Sequence, residues 1–64
     1  MWIKCSDRQP ERAAWYLVAI VTRWGGHMVT MACYHGKGRW TVDDLEASGL
    51  PIYWQPLPDL PEGL

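Results

Sequence analysis

The chain has 64 residues, a formal net charge of −1, five Trp, three Tyr, five Pro and two Cys. This length holds one domain, residues 1–64, which buries only roughly 60% of the surface its unfolded form exposes; large aromatic side chains, about 150–250 Å² each, are the means at hand to make up the deficit. Near-neutral charge with scattered Lys and Arg excludes strong non-specific attraction to nucleic acid or anionic lipid.

The opening, Trp2 and Ile3, reads as a short strand, and Ser6, Asp7 and Pro10 as a turn after it. Lys4, Asp7 and Arg8 interrupt any apolar run there, so no secretory signal is expected. The longest apolar run, AAWYLVAIV from Ala13 to Val21, is shorter than the about 20 residues of a membrane-crossing helix. Cytoplasmic residence with Cys5 and Cys33 as free thiols is the expectation, a Cys5–Cys33 disulfide being the lesser alternative.

Trp15 to Thr22 is β-branched and aromatic, and both alternating faces are apolar, which predicts a strand covered on both sides. Gly25-Gly26 predicts a two-residue hairpin link, with His27 to Tyr34 as the antiparallel partner. HGKGRW is a second glycine turn, leading into a short strand from Arg39 to Val42. TVDDLEASG predicts a helical turn or two, capped by Thr41 or Asp43 and ended by Gly49, with Leu45 and Leu50 packed inward. LPIYW returns as a strand, and QPLPDLP leaves as an extended, polyproline-like segment. The fold class expected is α+β: a small three- to four-stranded antiparallel sheet, one short helix and an extended Pro-rich C-terminal segment.

The two ends carry a resemblance. WIKCSDRQPE at the start and YWQPLPDLP near the end are similar to the opening and close of a family of small phage and prophage proteins, domain of unknown function 551. The middle matches in pattern, with a Leu-Val strand, a second strand ending near Tyr34, and Trp40 after a glycine turn. Cys5 stands where small polar residues are more usual in that family, and Tyr53 where it often has His. The resemblance implies a bacteriophage or prophage origin and a compact α+β or mostly β domain; it brings no catalytic residue, cofactor or substrate. It also suggests that the ends meet: Trp2 packed edge to face on Trp54, with Pro56 and Pro58 across an indole, as a structural clasp.

The chemistry-bearing groups each have a plain reading and a sharp one. Cys5, His27, Cys33 and His35 lack the spacings of a zinc site, so a buried free Cys and a loop His are expected and no metal. Cys33 with a His and Asp43 or Asp44 can be drawn as a nucleophilic triad, but little room for a substrate pocket of ~300 Å³ is expected in so short a chain, and no catalytic residue or cofactor is assigned. Asp43, Asp44 and Glu46 read as a solvated first helical turn, HGKGR as a hairpin rather than a phosphate loop, and Pro58-x-x-Pro61 as packed tail rather than ligand. Trp24, beside Arg23 at a hairpin tip, is either tucked over the sheet, the reading preferred here, or offered to a partner.

By elimination the expected function is non-enzymatic protein binding, through Arg23, Trp24, His35, Lys37, Arg39 and Trp40; the resemblance to phage proteins implies a host or phage protein as the partner, for example a host defence enzyme that is inhibited. The alternatives are a small nucleic-acid binder using Trp24, Arg23, Lys37, Arg39 and Trp40 around one hairpin end, and a homodimer formed at an exposed sheet edge.

Overall fold

A computed structural model describes residues 1–58. Its framework is set by the run AWYLVAIV: Ala14–Val21 forms β2, and His27–Gly36 pairs with it as β3 along its full length, from Ala14 opposite Tyr34 to Val21 opposite His27. Arg39–Thr41 (β4) continues the meander, Ile3–Lys4 is β1 and Tyr53–Pro56 is β5. All pairings are antiparallel, and the spatial order is β1-β5-β2-β3-β4, so the sheet has five strands rather than three or four.

No helix occurs among the described residues, and therefore none long and apolar enough to cross a membrane. The segment after β4 fails to coil because other groups claim its backbone. Asp44 Oδ1 accepts from the Glu46 N–H (2.9 Å) and the Asp44 carbonyl from the Ala47 N–H (3.1 Å), a local turn of the kind Asp favours over helix. The Glu46 carbonyl then accepts from Arg23 N–H and the Ser48 N–H donates to Val21, both at 2.8 Å, and Thr22 and Ala47 form an isolated bridge. The segment is thus held as an irregular strand against the end of β2. Leu45 and Leu50, expected to pack, are exposed.

Alternation gives the sheet two unlike faces. One carries Tyr16, Val18, Ile20, Ala32, Tyr34 and Trp54, all buried. Its cover is the Cys5–Ala13 loop, which supplies acceptors for the polar atoms of three rings. Trp54 Nε1 donates to the Arg8 carbonyl (2.8 Å), Trp40 Nε1 to Gln9 Oε1 (3.1 Å) and Tyr16 Oη to the Arg12 carbonyl (2.8 Å). Gln9 in turn donates to the Cys5 carbonyl (2.8 Å), fixing its amide. Beneath the loop the rings of Trp54, Tyr16, Trp40 and Tyr34 stand in file across four strands, with centroids 5.2, 6.1 and 4.8 Å apart. Edge-on and tilted contacts of this kind add about 0.5–1.5 kcal/mol each beyond area burial.

The other face of β2, carrying Trp15, Leu17, Ala19 and Val21, has no covering layer among the described residues; Trp15 is 49% exposed. The expectation of a strand covered on both sides is met on one side only.

The expected clasp also changes. The first and fifth strands pair, but Ile3 is the residue opposite Trp54. Trp2, one position earlier, points to the open face beside Tyr53 and Ala19, while Trp54 lies on the covered face and takes Tyr16 as its edge-to-face partner at 78°. The two indoles therefore do not meet. Pro56 ends β5 opposite Tyr16, and Pro58 is exposed beyond it. The remainder of the Pro-rich segment, including Pro61, lies outside the described residues.

Candidate functional site at the hairpin tip

The β2–β3 link is a three-residue turn, Arg23-Trp24-Gly25, rather than the two-residue Gly25-Gly26 link expected. Gly25 N–H closes it onto the Thr22 carbonyl (3.0 Å), and Gly25 adopts φ 86°, the left-handed geometry that ends a turn of this length. Thr22, 5% exposed, holds the turn from inside: its N–H donates to the Gly26 carbonyl (2.8 Å) and its Oγ1 accepts from the Gly26 N–H (2.9 Å). Trp24 is consequently carried at the turn's crest and is 70% exposed, not tucked over the sheet.

The β4–β5 segment brings a second apolar group to the same end of the molecule. The Thr22–Ala47 bridge and the Arg23–Glu46 hydrogen bond set the Leu45-Glu46 turn beside the hairpin tip, and Leu45 is 87% exposed. Trp24 and Leu45 thus stand at one end with an exposed cation, Arg23, and an exposed carboxylate, Glu46. Leu45 was missed in the sequence because its place depends on a pairing between segments more than twenty residues apart.

The remaining expected binding residues are elsewhere. His35, Lys37 and Arg39 surround the β3–β4 turn, at the opposite end of β3. Ten residues of strand separate the two ends, roughly 30 Å at about 3.4 Å per residue. His35 Nε2 lies 2.6 Å from Thr41 Oγ1. Trp40 is half-buried in the ring file and its indole N–H is used by Gln9, so it offers no free stacking face. The residues expected to form one basic and aromatic surface for stacking on a nucleic-acid strand are therefore divided: Arg23 and Trp24 are at one end, and Lys37 and Arg39 are at the other.

The thiols are free, and Cys33 on β3 is three strand positions from the end of β1, where Cys5 follows. Among the described residues no three His, Cys, Asp or Glu side chains converge. Burial pushes the Cys5 thiol above its ordinary pKa. Shallow clefts of about 370 and 530 Å³ flank β1, lined by Lys4, Cys5 and Tyr53 in the first and by Trp2, Asp7 and Arg8 in the second. They exceed the volume expected of so short a chain, yet both lie open along the sheet edge.

Comparison with curated proteins and with solved structures gives no match. A family model, Protein of unknown function (DUF551), matches residues 1–62, nearly the whole chain. The matched span takes in both Ile3–Lys4 and the Tyr53–Trp54 pair that lies opposite it in the sheet, and the chain belongs to the DUF551 family.

Proposed function

We propose that this chain is a non-enzymatic protein-binding module, a phage- or prophage-encoded accessory protein that modulates or inhibits a host protein, such as a defence enzyme, in the bacterial cytoplasm. The observation that carries the reading is the hairpin tip: Trp24, 70% exposed, held on a turn with a buried Thr22 beneath it and Leu45 beside it. A large apolar ring kept in water on a hydrogen-bonded turn loses little conformational freedom when it enters a partner's pocket. Trp and Arg are the residues most enriched where truncation weakens interfaces, and Arg23 adjoins Trp24. Arg23 and Glu46 supply a polar rim of both signs around the apolar pair, an arrangement suited to a protein surface rather than to a phosphate backbone.

The test is capture from nuclease-treated bacterial lysate, followed by titration of the purified partner against the parent protein, Trp24→Ala and Leu45→Ala. Loss of a ring that anchors an interface costs about 2 kcal/mol or more, roughly a 30-fold weaker Kd. Unchanged affinity in both variants, with the far-ultraviolet spectrum retained, removes the tip as the contact. Material that disappears with nuclease, and an affinity that falls steeply with salt, replaces the reading with nucleic-acid binding.

A further inference from the structure

We propose that the open face of the sheet is covered by a second copy of this chain, packed face to face to give a two-layered sandwich of ten strands. This goes beyond the tip's function and rests on a different surface. The open face presents Trp2, Trp15, Leu17, Val29, Met31 and Tyr53; the first two are 38% and 49% exposed, and Val29 and Met31 are 56% and 49%.

Three features select a second copy as the occupant. The first is area. The 27 residues of the five strands, at about 3.4 Å by 4.8 Å each, give a face of roughly 440 Å² before side-chain relief, the size of a weak self-association rather than the roughly 800 Å² per partner of a stable interface. The second is charge. The charged side chains that strand alternation puts on this face, Lys4 on β1 and Arg39 on β4, lie on its two outermost strands, so two copies bring no like charges into their shared centre.

The third is relief. A hollow of about 150 Å³ opens at Ala19, walled by Trp2, Val29 and Tyr53. A cavity of that size takes about one benzene-sized group. Two residues along β2, at the next level of the same face, Leu17 and Met31 stand opposite one another. A two-fold axis lying between the sheets, perpendicular to the strands and passing over Val18, sets Leu17 and Met31 of each copy above Ala19 and Val29 of the other. Projecting and recessed parts of the face are thus exchanged by one rotation, which is the requirement for an interface that matches itself. The same rotation seats Trp15 over Val21 of the other copy. It sends the two Trp24 tips to opposite ends of the sandwich, clear of the interface.

Sedimentation equilibrium of the full chain, alone and as Val29→Lys and Met31→Lys, tests the proposal. Both positions are half-exposed in the single copy, so both variants retain the fold, checked by far-ultraviolet dichroism. The parent chain is expected at twice the monomer mass at tens of micromolar, and each variant at least tenfold weaker in self-association. A parent chain that stays monomeric to millimolar concentration overturns the proposal. So does a dimer indifferent to both lysines, which places the contact at the edge strands β1 or β4 instead. Trp24→Ala is expected to leave the dimer intact, so failure of the tip reading and failure of this one are separate results.

Discussion

Trp54→Phe isolates the joint between the sheet and its covering loop. The substitution keeps an aromatic ring beside Tyr16 but removes the indole N–H that donates to the Arg8 carbonyl at 2.8 Å. Arg8 is exposed, so water reaches the carbonyl left behind and the cost is that of an ordinary hydrogen bond, about 1 kcal/mol. Two ring carbons are also lost from a side chain that is 7% exposed, about 0.8 kcal/mol each. The sum is about 2.5 kcal/mol. A chain of this size has on the order of 3–10 kcal/mol in all, and each kcal/mol moves its Tm by roughly 4–8 °C. The expected fall is therefore about 10–20 °C in a far-ultraviolet melt. Hydrogen exchange adds a local reading: the Cys5 N–H, bonded to the Ile52 carbonyl, and the Asp7 and Arg8 N–H groups, bonded to Lys4, should lose protection before the β2–β3 amides do. A fall below about 4 °C, or an even loss of protection across the sheet, would refute the claim that Trp54 fastens the cover.

Two further outcomes follow from particular atoms. Lys37 has φ 55° between Gly36 at φ 91° and Gly38 at φ 76° at the β3–β4 turn, three left-handed residues of which only Lys37 carries a Cβ. Lys37→Gly should raise the unfolding free energy from urea titration by up to about 1 kcal/mol after the extra freedom glycine gives the unfolded chain; a lower value would show the turn is not strained. The Cys5 thiol is raised by burial, which favours the neutral form in the folded state. Its contribution is therefore whole below the unfolded thiol's pKa, about 8.5, and is lost as pH rises through the folded value. Stability measured by urea titration should decline above that point, and Cys5→Ser should flatten the decline; equal slopes would assign it to other groups.

The strands of the meander were legible because their signals are local. β-branched runs and two glycine turns fix β2, β3 and β4 within a residue or two. Which face of β2 would be covered was not legible, since Trp15, Leu17, Ala19 and Val21 are as apolar as Tyr16, Val18 and Ile20. The choice depends on where the loop carbonyls of Arg8 and Arg12 and the side chain of Gln9 can meet ring donors, which no periodicity records. The helix expected near Asp43–Ser48 fits local composition, but the end of β2 captures the backbone of Glu46 and Ser48. Trp24 was identified as the distinctive residue, and its exposure hinged on a turn one residue longer than Gly25-Gly26 suggests. Leu45, its neighbour at the tip, carries no local signal at all.

The strand order also constrains how this sheet can be assembled. β5 is synthesised after the other four strands, yet it lies between β1 and β2. Until it arrives, the meander of β2, β3 and β4 has an unpaired inner edge on β2, and β1 has no partner. Such an edge is a template for pairing with another chain. Nascent copies made close together are thus exposed to mispairing for as long as Tyr53–Pro56 is unavailable, and the buried Trp54 that arrives with that strand is also the residue that draws the covering loop down. Closing the sheet and roofing it are thus coupled, since both wait on Tyr53–Pro56.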